Sequence, residues 1–163
     1  MTTPTYHFDG ILFDCDSTLS SIEGIDELAA LNNQKQTIAQ LTNQAMNGDL
    51  PLQAIYEKRL QHIQPTQQQI QQIAQQYLKT ITQGAETLIA TLQRHNILVG
   101  IISGGLYDAI LPLAQHLNIP TQHLHAVHLN YTPEDTTTAS NPPPHHHQRQ
   151  THHRPTMETT KPP

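Results

Sequence analysis

Two short stretches hold residue types that can do chemistry together. The first is FDCDST, residues 13–18. Asp14 and Asp16 stand two apart, so an extended backbone points both carboxylates the same way. Paired carboxylates can hold Mg²⁺, which prefers oxygen ligands. One of them could also attack phosphorus while the other protonates the leaving oxygen. A plainer reading stays open, since Asp, Ser and Thr all favour the N-cap of a helix. The second stretch is IISGG, residues 101–105. Ser103 can donate a hydrogen bond to a phosphoryl oxygen, and Gly104 lets a backbone N–H approach closely. A following helix N-terminus favours an anion. Taken alone, SGG is an ordinary turn.

Both stretches end apolar runs that read as strands. Gly10–Phe13 has the length of a buried strand, and Ile97–Ile102 (ILVGII) reads as a strand buried on both faces of a parallel sheet. Ligands of open α/β sheets bind beyond the carboxyl ends of such strands. Between them the spacing predicts four short helices. Ser21 precedes the first, with Ile22, Ile25, Leu28 and Ala29 on one face. The second carries Ile38, Leu41 and Ala45, and Gly48 can close it. Pro51 opens the third, with Leu52, Ile55, Tyr56 and Leu60. The Gln-rich stretch 66–78 keeps an i, i+3, i+4 stripe of Ile70, Ile73, Ala74, Tyr77 and Leu78, so it reads as an amphipathic helix. A fifth helix, 85–95, turns Leu88, Ile89 and Leu92 inward and stops at Asn96. Another runs to about Leu117, with Pro112 expected to kink it or delay its start. His123–Leu129 alternates apolar residues with His and reads as a third strand. The sum is an α/β domain with an inserted helical cap.

Composition narrows the classes. Of 163 residues, 36% are hydrophobic and 13% charged, with 20 Gln, 12 His and 12 Pro. The usual charged share is roughly 25%. The net charge of −5 argues against a cationic nucleic-acid surface. One Cys excludes an intrachain disulfide framework or a thiolate zinc cage. Residues 1–10 lack the basic and apolar regions of a secretory signal. No stretch approaches the ~20 apolar residues of a membrane span. The expectation is a soluble, cytoplasmic protein with no membrane partner. Residues 132–163 differ from the rest: Ala139 and Met157 are their only hydrophobic residues, and they hold seven prolines and five histidines. Disorder is expected there.

FDCDSTLSSIEGIDELA (13–29), QAMNGDLPLQAIYEKRLQHIQPT (44–66) and ISGGLYDAILPLAQHLNIP (102–120) together resemble the phosphoserine phosphatase family of the haloacid dehalogenase-like superfamily. The resemblance runs from residue 10 to about 131. It implies a Rossmann-like core from 1–20 and 79–131, left incomplete, a four-helix cap at 21–78 and a tail from 132. It implies Mg²⁺-dependent hydrolysis of O-phosphoserine through an aspartyl-phosphate, the last step of serine biosynthesis. Asp14 would be the nucleophile and Asp16 the general acid/base. The Asp14 carboxylate and the Asp16 main-chain carbonyl would bind the metal. Glu23 would meet the substrate ammonium and Arg59 its carboxylate, Met46 would line the pocket, and Ser103 and Gly104 would hold the phosphate. Without the resemblance, Glu23 and Arg59 are ordinary helix charges.

The pattern also departs from the family. Asn47 stands where Gly is usual. The third-motif Lys and the GDGxxD-like fourth motif have no counterpart, and Lys161 lies in the tail. The resemblance therefore implies an open edge on the first strand, one uncovered sheet face, poor folding and little activity. The abrupt change after residue 131 suggests an out-of-frame tail. Translating the DNA beyond codon 131 in the other two frames tests this, since a Lys followed by a GDGxxD-like motif should then appear. The rival readings are a non-catalytic phosphate-binding remnant and another phosphatase of the superfamily. The clustered histidines 145–147, 152 and 153 could bind Zn²⁺ or Ni²⁺ weakly, as any such cluster does. His123 and His125 would share a strand face, too few for a metal site. Cys15 reads as a small buried spacer, because a thiol phosphatase wants an Arg about six residues on and position 21 is Ser.

Overall fold

A computed structural model describes residues 8–47, 52–131 and 137–139; at 45–46, 52–54 and 137–139 it describes backbone only. Strand β1 is Gly10–Phe13, followed by four helices: α1 (Gly24–Leu31), α2 (Lys35–Met46), α3 (Leu52–Ile63) and α4 (Gln67–Lys79). Then come α5 (Ala85–Arg94), β2 (Leu98–Leu106), α6 (Tyr107–His116), a 3₁₀ turn (Thr121–His123), β3 (Leu124–Val127), β4 (Leu129–Tyr131) and β5 (Thr137–Ala139). β1, β2 and β3 form a parallel sheet in that order, with Phe13 opposite Ile101 and Ile101 opposite Leu124.

Each predicted helix forms around its apolar stripe. Ile38, Ile55, Leu60, Ile70, Ile73 and Tyr77 are all buried. α4 starts with a reciprocal capping box: Thr66 accepts from the Gln69 N–H while the Gln69 side chain accepts from the Thr66 N–H. Its outer glutamines, 67, 68, 71, 72 and 75, face solvent. α5 ends at Arg94, and Asn96 takes a left-handed φ of 58° beyond it. The chain leaves the core at residues 19–21 and returns at 80–82, and these crossings are tied together. The Thr82 N–H donates to the Leu19 carbonyl, the Ser21 N–H donates to the Thr80 carbonyl, and the Ser20 and Thr80 hydroxyls meet at 2.7 Å.

Several expectations need correction. α1 opens at Gly24, not directly after Ser21, because its first N–H is held from outside the helix by Asp16. β2 is buried on one face only. Val99 and Ile101 are covered, whereas Leu98 and Ile102 on the opposite face are 46% and 55% exposed, beside Leu12 at 56%. α6 packs on the covered face, and among the described residues nothing comparable covers the other. Leu88 also turns outward, leaving Ala85 and Ile89 as the buried stripe of α5. Pro112 delays nothing: α6 begins at Tyr107 and runs through it. The third strand is shorter than expected, with His123 in the preceding turn, so His123 and His125 do not share a strand. Within the expected tail, the backbone of Thr137–Ala139 pairs antiparallel with Leu129–Tyr131. The remaining tail calls, the histidine cluster and Lys161 included, and Gly48 and Pro51 lie outside the described residues.

Candidate active site

The site lies at the carboxyl ends of β1 and β2. After Phe13 the chain turns sharply. The Asp14 side chain accepts from the Cys15 N–H at 2.6 Å, and the Ser20 N–H closes the turn onto the Cys15 carbonyl at 3.1 Å. Inside this turn Ser17 holds φ at +53°, a conformation uncommon for a side-chain-bearing residue. It is kept there by its N–H donating to the Ile22 carbonyl and its hydroxyl donating to Glu23 at 2.5 Å. Asp14 is exposed and Asp16 half-buried.

Asp16 is the better anchored of the two. Its Oδ1 accepts from the Gly24 N–H at 2.8 Å and from the Tyr77 hydroxyl at 2.5 Å. Its Oδ2 faces β2, where the Ser103 hydroxyl donates to it at 3.5 Å. Asp16 thus does what the plainer reading foresaw, supporting a helix N-terminus, and also stands in the crevice.

The IISGG stretch differs from the expected turn. β2 stays extended through Ser103, Gly104 and Gly105, while its register to β3 jumps between Ile102 and Leu106. Two extra residues therefore arch out at the strand end, a bulge of the kind that re-aims side chains. The N-cap of α6, Leu106, follows Gly105. The glycines have different surroundings. A Cβ at Gly104 would meet nothing within 4 Å, so open space lies beside that backbone. A Cβ at Gly105 would lie 2.8 Å from Asp16 Oδ2 and 2.9 Å from Ile110 Cδ1, so a larger residue there would displace the Asp16 side chain. Its N–H donates to the Ser103 hydroxyl at 3.0 Å.

The remaining predicted residues sit on the helical insertion. Exposed Glu23 precedes α1 and accepts from Ser17. Arg59, on α3, donates from Nη2 to the Thr42 hydroxyl at 2.6 Å, while its buried Nε has no partner among the described residues. Met46 ends α2, and its side chain lies outside the described residues. Sequence reasoning placed Tyr56 and Tyr77 only as core residues. The Tyr56 hydroxyl is buried without a partner among the described residues, and its pKa is pushed up by burial and then by the Asp16 charge, with Arg59 pulling it down. Tyr77 is pushed up more strongly, first by burial and then by Asp16. The available signal was that a buried Tyr in an apolar stripe needs a partner for its hydroxyl. Cys15, fully buried, is held as a thiol by burial and by the charges of Asp16, Asp14 and Glu23, which suits a spacer and not a nucleophile.

The parallel α/β sheet with a helical insertion after its first strand, and two carboxylates at that strand's end, is a fold the chain shares with solved haloacid dehalogenase-like phosphatases. Within that class the chain is similar to phosphoserine phosphatases. It is 37% identical over 123 residues to phosphoserine phosphatase from Bos taurus, covering 76% of this chain and 55% of that one. A crystal structure of a phosphoserine phosphohydrolase-like protein from Francisella tularensis superposes with a TM-score of 0.73 at 30% identity, over 82% of this chain and 65% of that one. A phospho-aspartyl intermediate analogue of phosphoserine phosphatase superposes with a TM-score of 0.66 at 27% identity, over 82% and 62%. No family model matches the chain. The chain spans about half the length of the curated relatives it matches. Among the described residues, no helix is long and apolar enough to cross a membrane.

Proposed function

We propose that this chain carries the site of a phosphomonoester hydrolase acting on O-phosphoserine. Asp14 attacks phosphorus and forms an aspartyl-phosphate. Asp16 gives a proton to the departing serine oxygen and then takes one from the water that hydrolyses the intermediate. Ser103 and the Gly104 backbone hold phosphoryl oxygens. Glu23 and Arg59 receive the ammonium and carboxylate of the amino acid, and Met46 lines that end. The observation that carries this reading is the meeting of Asp16 Oδ2 with Ser103 Oγ at 3.5 Å. It brings the acid/base candidate and the phosphate-holding candidate, 87 residues apart in sequence, to one crevice beside Asp14.

The donor set suits Mg²⁺. The exposed Asp14 carboxylate and the Asp16 main-chain carbonyl offer hard oxygens, and Mg²⁺ binds through one or two carboxylates together with water and substrate phosphate. Bound there, the ion would neutralise phosphate charge. The α1–α4 insertion acts as a cap and residues 79–131 as the rest of the core. A cytoplasmic setting is part of the proposal, supported by the single buried free thiol.

Phosphate release from O-phosphoserine with Mg²⁺ tests the reading. The expected release disappears in Asp14→Asn. A second reading, phosphate binding without turnover, rests on the open space beside the Gly104 backbone and the nearby Ser103 hydroxyl, a cradle that needs no metal. Release no faster than in Asp14→Asn, with phosphate still bound, selects that second reading.

A further inference from the structure

One of the groups that hold Asp16 lies outside every motif. Tyr77 belongs to the last helix of the insertion, 61 residues from Asp16, and is fully buried. Its hydroxyl donates to Asp16 Oδ1 at 2.5 Å, and the Gly24 N–H reaches the same oxygen at 2.8 Å. A carboxylate oxygen offers two lone-pair directions. Both of those on Oδ1 are therefore taken, by donors that cannot easily withdraw: one is backbone at the start of α1, the other a phenol wedged in the core. The wedge is tight. A methyl group at Gly24 would lie 2.1 Å from the Tyr77 hydroxyl and 3.0 Å from Cζ. Oδ2, by contrast, meets only the longer Ser103 contact among the described residues and faces the end of β2.

We propose that Tyr77 is a positioning residue for Asp16, fixing the carboxylate so that Oδ2 alone exchanges a proton with the reacting groups. This deepens, and rests on, the hydrolase reading above. In the first half-reaction an Asp14 oxygen bonds to phosphorus, the bond from phosphorus to the serine oxygen breaks, and the proton on Oδ2 passes to that oxygen. In the second half-reaction a water oxygen bonds to phosphorus, the bond from phosphorus to Asp14 breaks, and the water proton returns to Oδ2. Serine and phosphate leave, and both carboxyl groups are restored. Tyr77 moves no proton. Because it stands on α4, it makes the geometry of Asp16 depend on the docking of the insertion against the core.

Tyr77→Phe keeps the ring and removes the donor. The expected result is a fall in kcat of roughly 10- to 100-fold, the scale of a misplaced reacting group, with KM for O-phosphoserine within about twofold and the melting temperature nearly unchanged. An unchanged kcat overturns the proposal. A second measurement does not depend on turnover. The proton in the Tyr77–Asp16 bond should give a slowly exchanging low-field resonance in the ¹H NMR spectrum of the unmutated chain, absent in Tyr77→Phe and in Asp16→Ala. No such resonance also overturns the proposal. If phosphate release fails altogether while the resonance is present and lost as stated, the hydrolase reading falls and the positioning of Asp16 stands. Finally, Gly24→Ala should lower stability through its collision with the Tyr77 hydroxyl. Adding Tyr77→Phe should recover that stability without restoring the rate, and recovery of the rate would overturn the proposal.

Discussion

Cys15 sits between the two carboxylates, and its surroundings decide what it can do. Burial and three neighbouring negative charges favour the neutral thiol. The consequence for stability has a definite sign. The folded pKa lies above the unfolded value of about 8.5, so the stabilising contribution is complete below that pH and fades as pH rises through it. Tyr56 and Tyr77, also raised, add to the loss above their ordinary value of about 10. The melting temperature should therefore fall steadily from pH 8 to pH 11, and Cys15→Ala should flatten the first part of that fall. Thermal melts at fixed ionic strength check this. The same burial predicts that Cys15 reacts with a disulfide reagent at pH 8 many-fold more slowly in the native chain than in urea.

The helices of the insertion are held by local chemistry as much as by packing. α4 shows this best, because its outer face is almost entirely Gln and contributes no ion pairs. Its N-terminus relies on the Thr66–Gln69 capping box. Thr66→Ala should cost about 1 kcal/mol, read as a lower urea midpoint. At α1 the corresponding support comes from a distant residue, since Asp16 takes the Gly24 N–H. Crowding there makes Gly24→Ala costly, by roughly 1–3 kcal/mol. The boundaries that sequence spacing misplaced are of this second kind. Nothing near Ser21 reveals that the donor at Gly24 is satisfied by a side chain eight residues earlier in the chain.

Across the whole molecule the sheet is asymmetric. Leu12, Leu98 and Ile102 lie on one face and are about half exposed, and the outer edge of β1 pairs with no strand among the described residues. Isolated apolar side chains at a surface are ordinary, but a contiguous set on a flat sheet beside an unpaired edge promotes association. The purified chain should bind a hydrophobic dye such as ANS and sediment as species larger than a monomer. Leu98→Lys, at a position 46% exposed, should reduce both without lowering the urea midpoint appreciably. Dye binding and sedimentation unchanged by that substitution would count against this face as the cause.

The sequence by itself determined the order of elements from β1 to α6 and most of the helical stripes, because the 3.6-residue period and the short apolar runs are local properties that need no partner to be seen. It also put Asp14 directly after an apolar strand, whereas Ser103 and Gly104 lie within β2 and not beyond its end. Tertiary structure alone decided the rest. Which face of β2 is covered depends on where α6 lands, not on its apolar run, which reads the same for one buried face or two. Which of the two adjacent glycines is crowded depends on the approach of Asp16 from the turn after β1. The partner of Tyr77 lies 61 residues away. A buried phenol shows in the sequence as one more apolar stripe residue, and only the packing of α4 against the core shows what its hydroxyl holds.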